Sequence, residues 1–140
     1  MIASLRAYFK GRIANVDAAY KQIDDPVGND DIARIDVDCR YKIIFGQNSP
    51  EYTGNSYVEQ IPVTIELYSS SKQSQIDAHD ALYTLGINVK NAIISPGQIK
   101  TQVPFNDALI QSISIEALNT NDKTFKCTLL LTIRVDFTFN

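Results

Sequence analysis

Phe125-Lys126-Cys127-Thr128-Leu129-Leu130-Leu131-Thr132-Ile133-Arg134-Val135-Asp136-Phe137-Thr138-Phe139 decides the fold class. Phe125, Cys127, Leu129, Leu131, Ile133, Val135, Phe137 and Phe139 share one phase, and Lys126, Thr128, Thr132, Arg134, Asp136 and Thr138 the other. Successive side chains of a strand point to opposite faces, so the alternation predicts a long strand with one face on a core and one in water. Leu130 alone breaks the polar phase. It reads either as an apolar residue tolerated on a wet face or as a surface that another subunit covers.

Working outward, Leu109, Gln111, Ile113, Ile115 and Ala117 alternate with Ile110, Ser112, Ser114 and Glu116, which predicts a partner strand whose one inward polar residue is Gln111. Asn119-Thr120-Asn121-Asp122-Lys123 between the two is a hairpin signal, because Asn and Asp tolerate left-handed backbone angles. Two more strands are expected earlier. One carries Val37, Cys39, Tyr41, Ile43 and Phe45 inward, the other Ile61, Val63, Ile65 and Leu67. Pro62 has no N–H for a ladder and suggests an edge or a bulge. The stretch from Gly46 to Ser56, rich in turn formers, reads as a long loop.

Two helices complete the set. Ile2, Leu5, Phe9, Ile13, Val16, Tyr20 and Ile23 recur at steps of three and four, the stripe of an amphipathic helix that Asp24-Asp25-Pro26 stops. Ile76, Leu82, Leu85, Val89 and Ile93 mark the second, with Ser70 and Gln73 at capping-box spacing and Ser95-Pro96-Gly97 at its end. The expected fold is α+β: a mainly antiparallel sheet with two helices packed on one face, in the order α-β-β-α-β-β. With no repeat and no linker, residues 1–140 read as one domain.

The 140 residues carry 44% apolar and 21% charged side chains and a formal net charge of −3, an ordinary globular composition. No Lys/Arg cluster offers the cationic surface that nucleic-acid binding needs. The first residues lack a secretory signal and no window has the apolar length of a membrane span, so the chain reads as cytoplasmic and free of membrane contact. Cys39 and Cys127 read as buried free thiols, a disulfide being open only if their strands are neighbours.

Catalytic chemistry finds no support. His79 is the single histidine, and neither Asp77 nor Asp80 is spaced to face it on a helix. Neither a GxSxG elbow nor a Gly-rich phosphate loop occurs. Asp24, Asp25, Asp30 and Asp31 surround Gly28 without the ligand alternation of a calcium loop. No enzyme activity, metal or cofactor is expected. The candidate functional residues are instead those of an assembly interface. Pro50, Tyr52 and Tyr57 lie in or beside the long loop, Val103 and Phe105 in the irregular stretch before Asp107, and Leu130 on the wet face.

Three stretches carry a resemblance: Tyr41-Lys42-Ile43-Ile44-Phe45-Gly46, then Ile61-Pro62-Val63-Thr64-Ile65-Glu66-Leu67-Tyr68 running into the Ser-rich helix start, then the terminal strand Thr124 to Phe139. Together they resemble the tail-terminator (tail-completion) proteins of long-tailed bacteriophages, by order of elements over most of the chain. The resemblance implies a homo-hexameric ring in the virion, assembled in the host cytoplasm. Such a ring caps the tail tube, halts its polymerisation and meets head-connector proteins, with DNA only as passing cargo. Another virion connector or tail-tube protein fits as well. A dimeric α+β ligand-binding domain is the alternative from a different class, and the nearly all-apolar inward phases favour a packed core over its pocket.

Overall fold

The computed structural model describes residues 2–23, 40–54, 56–70, 75–94, 105, 107–119 and 124–138. Its elements are α1 (Ile2–Val16), β1 (Lys21–Gln22), β2 (Arg40–Phe45), β3 (Ser49–Thr53), β4 (Ser56–Ser70), α2 (Gln75–Ile94), β5 (Asp107–Asn119) and β6 (Thr124–Thr138). The fold is α+β, as the alternation predicts. The element order is not the expected one, because β1 and β3 are additional and the sheet is mixed. Strands run β1-β2-β4-β6-β5, with β3 pairing β4 beyond the end of β2.

The β4–β6 ladder is the axis. It runs unbroken from Ser56↔Thr138 to Ser70↔Thr124, all antiparallel. Directly opposite residues share a face, so Ile61/Ile133, Val63/Leu131, Ile65/Leu129 and Leu67/Cys127 form four successive apolar rows. All eight residues are buried. Tyr41 and Ile43 of β2 extend the same face, and both helices lie on it. Phe9 of α1 meets the Phe45 ring at 6.4 Å. A Cβ on Gly86 of α2 would lie 2.6 Å from the Cys127 sulfur.

Helix α1 stops earlier than its apolar stripe. The Asp17 side chain accepts the Ala19 N–H at 3.0 Å, a local bond that competes with helix continuation. Tyr20, next in the stripe, is still buried. The chain then forms a short parallel pair with β2, Lys21↔Arg40 and Gln22↔Tyr41, with Ile23 N–H donating to the Tyr41 carbonyl at 2.9 Å. Tyr8 and Arg12, one turn apart on α1, donate to the carbonyls of Ile93 and Ala92 at 3.1 and 2.8 Å. Those carbonyls belong to the last turn of α2, where no intrahelical donor remains.

Three further expectations are corrected. Pro62 lies on a central strand and not an edge, while the irregularity expected there is present: three residues, 46–48, lie opposite Ile61 and Pro62. Its missing N–H faces the break between β2 and β3, where Gly46 N–H donates to its carbonyl at 2.7 Å. Ser69 and Ser70 belong to β4 and not to a helix cap; Ser71–Gln73 lie outside the described residues. In β5, Ile110 pairs with Leu131 and Ser112 with Leu130, which leaves Gln111 as the extra residue of a bulge. The bulge switches the phase. Ala108, Ile110, Ile113 and Ile115 pack on the core, while Leu109 and Gln111 are exposed. Cys39, the acidic group Asp24–Asp31 and the hairpin residues 120–123 also lie outside the described residues. Cys127 is a buried free thiol, as expected.

Two glycines should respond oppositely to alanine. Nothing lies within 4 Å of a Cβ at Gly11, so Gly11→Ala should stabilise by about 0.5–1 kcal/mol through helix propensity. Gly86→Ala should destabilise by about 1–3 kcal/mol despite the same propensity gain, because the new methyl meets the Cys127 sulfur. Gly86→Ala combined with Cys127→Ala should recover much of that loss. Urea midpoints of the parent and the three variants read the outcome; equal effects at Gly11 and Gly86 would refute the close α2–β6 approach.

Candidate functional site

The stretch expected as a loop is a strand hairpin. Pairs Ser49↔Gln60 through Thr53↔Ser56 join β3 to β4, and Gly54, at φ 62°, supplies the left-handed residue at the reversal. The turn formers of this region misled the reading, since Pro50 is tolerated on an edge strand whose N–H side needs no partner. With the end of β6 alongside, the hairpin makes a three-stranded arm. Tyr52 and Tyr57 sit opposite each other near its tip, ring centroids 5.6 Å apart, and Tyr52 is 71% exposed. Asn48 Nδ2 donates to Glu59 Oε2 at 2.9 Å and braces the base.

The remaining interface candidates do not gather there. Phe105 packs edge-on against Tyr8 of α1 at 5.2 Å, and Val103 lies outside the described residues. Leu130 is 39% exposed on the face away from the helices. It is not isolated: Ile44, two strands away through Thr64, and Leu109, opposite Thr132, are exposed on that face too. The bulge hid Leu109 from the sequence, because the β5 alternation put it inward.

The same face carries a polar group at its other end. Lys126 Nζ lies 3.0 Å from Glu66 Oε2 and 2.9 Å from Glu116 Oε1. Burial works against the Lys126 ammonium, but the bonds to Glu116 and Glu66 outweigh it and raise its pKa. Tyr68, cross-strand from Lys126, is fully buried. Burial first, then the Glu66 charge, raises its phenol pKa. Glu66 lies near enough to its hydroxyl to add to that rise, but no hydrogen bond of full geometry forms there among the described residues.

A cleft of about 390 Å³ opens at the end of the molecule away from the arm. Val16, Leu82 and Leu85 form its apolar wall, and Asp17, Thr84 and Asn88 its polar side. Ser69, at the far end of β4 from Tyr57, lines it as well. One Asp17 oxygen is held by the Ala19 N–H.

His79 departs from expectation in one respect. Its Nδ1 lies 3.2 Å from Asp80 Oδ1, an approach open to neighbours whose side chains both lean along the helix surface. Both groups are about half or more exposed, and the ring also stacks on Tyr83 and meets Phe125 edge-on. Among the described residues no group of three or more His, Cys, Asp or Glu is placed to hold a metal ion. No helix among them is long and apolar enough to cross a membrane. No family model and no curated protein matches the chain.

Two measurements test the buried groups. A buried hydroxyl without a partner costs about 1–3 kcal/mol, so Tyr68→Phe should leave the urea midpoint unchanged or raise it; a loss above ~1 kcal/mol would mean the hydroxyl is bonded. Burial pushes the Cys127 thiol up to about 11 from 9.0. Cys127, Tyr68 and Lys126 all hold their protons more tightly in the folded chain. The stabilisation from Cys127 is therefore complete below pH 9.0 and lost as pH rises through about 11. Cys127→Ala should flatten the decline of stability over that range by roughly 2–3 kcal/mol, and a decline identical to that of the parent would refute the assignment.

Proposed function

We propose that the chain is a ring-forming structural subunit of a phage tail, which caps the tail tube, ends its polymerisation and contributes to the head–tail junction. The observation that carries this reading is the arm. β3 pairs the start of β4, with the end of β6 alongside, and near the tip Tyr52, exposed, faces the half-buried Tyr57. A hairpin of this kind adds little to the core, and exposed aromatics of rigid geometry suit a contact with another protein. The sequence resemblance to tail terminators, carried by the stretches that form β2, β4 and β6, points the same way and implies six subunits, while β1 and β3 depart from the order of elements on which it rests. The mild acidity of the chain suits a channel through which DNA slides without adhering.

A second reading has one observation in its favour. The cleft beside Asp17 has the volume of a small-ligand site, together with an apolar wall and a few polar groups. Native mass spectrometry separates the two: a retained small molecule at one per chain supports the ligand-binding domain, and a closed multiple of the chain mass supports the ring.

The ring reading is tested by light scattering and negative-stain microscopy of the purified chain. Closed rings should appear as concentration rises. Replacing the arm from Pro50 to Glu59 with a short Gly-containing turn should keep the fold and abolish tail completion, giving overlong tails or tails that fail to join heads. Normal tails from such a phage would exclude the arm from the mechanism. A strictly monomeric chain that still completes tails would exclude the ring.

A further inference from the structure

The arm and the cleft occupy opposite ends of one strand. Tyr57 and Ser69 are both on β4, twelve residues apart, which at about 3.3 Å per residue separates them by roughly 40 Å. An even separation puts both on the same face of the strand. Tyr52, directly opposite Tyr57, shares that face. The molecule thus presents a projecting tyrosine at one end and a recess at the other. We infer that Tyr52 of each subunit seats in the cleft between α1 and α2 of the next copy, and that this head-to-tail contact closes the ring. The inference rests on the ring reading above and names the contact that makes it.

Chemistry of the two surfaces agrees. A tyrosine is an amphipathic anchor, with a ring that seeks apolar walls and a hydroxyl that needs a partner once buried. Val16, Leu82 and Leu85 supply the walls. The second oxygen of Asp17, the Thr84 hydroxyl and the Asn88 amide are the groups available to the phenol. At 71% exposure Tyr52 has most of its ring to bury, whereas Tyr57 behind it is half-buried and stiffens it. A contact between different surfaces of identical subunits propagates, and it closes into a ring when the rotation per step divides a full turn. Strand addition is the competing way to join two copies, and the edge of β5, the last strand of the sheet among the described residues, is poorly suited to it. Bulges at Gln111 and Leu118 interrupt its register with β6 and bend an edge away from a flat template.

The test uses the full chain and surface positions. Tyr52→Ala and Thr84→Arg remove the anchor and obstruct the recess; both positions are exposed, so thermal melting at concentrations too low for assembly should match the parent. Each should raise the concentration for half-assembly by at least about tenfold, the effect of removing an interface hot spot. In a second arm, chains carrying Tyr52→Cys and chains carrying Asn88→Cys are mixed and mildly oxidised. A disulfide-linked pair should form in the mixture and in neither sample alone. If the parent forms rings, both variants assemble like it and no mixed pair forms, then the tyrosine contact is wrong while the ring stands, and the cleft serves another occupant. If the parent stays monomeric at every concentration, the ring reading fails and takes this contact with it.

Discussion

Fifteen consecutive pairings between β4 and β6 set the position of everything else in the molecule. A one-residue slip in this ladder would turn the inward side chains of the slipped strand to the opposite face, putting Glu66 in place of Ile65 if β4 slips and Leu130 in place of Leu129 if β6 does. The burial of eight apolar residues in four rows against two helices makes that slip prohibitive. Apolar burial contributes about 25 cal/mol for each Å² removed from water, so the core holds the register of two strands that no turn joins. β2 and β5 then only have to match strands already in place. The helices dock on the face that carries the four apolar rows, and Gly86 lets α2 lie close enough to touch Cys127.

The opposite face does two different things along its length. Near Lys126 it is a salt-bridged and largely buried group, with Glu66 and Tyr68 closed off from water. Toward the arm it turns apolar and exposed through Ile44, Leu130 and Leu109. Buried ion pairs contribute little net stability, yet a lysine flanked by two carboxylates fixes the relative height of β4, β5 and β6 by a means independent of apolar packing.

Much of this was legible in the residues. Strands β4 and β6 announce themselves because a period of two is a long-range signal that no local chemistry disturbs, and the two helices follow from steps of three and four. Features set by local competition were not legible. Asp17 ends α1 through a bond to Ala19 while the apolar stripe runs on to Tyr20. The Gln111 bulge inverts half of β5, because an extra residue has no mark of its own in the sequence. β3 is built from Ser, Pro, Glu, Tyr and Thr, a composition that reads as a loop until β4 is known to extend beneath it. Of the candidate interface, the aromatic pair was named but not its opposition across a hairpin. The cleft was invisible, since Val16, Ser69 and Leu85 meet only in three dimensions.

Two of the arm's three strands have no joint with the body. β4 passes from Tyr57 at the tip to Leu67 in the core without interruption, and β6 returns in register beside it. Only the third strand is broken, where Pro62 meets Gly46. The arm is therefore a lever rooted in the hydrophobic centre, and force or restraint applied at Tyr52 is borne by the same ladder that carries the core. Whatever grips the tip acts on the folding equilibrium of the whole chain and not on a detachable appendage. Occupancy there becomes readable as global cooperativity: a seated arm raises the melting temperature of the entire subunit by mass action.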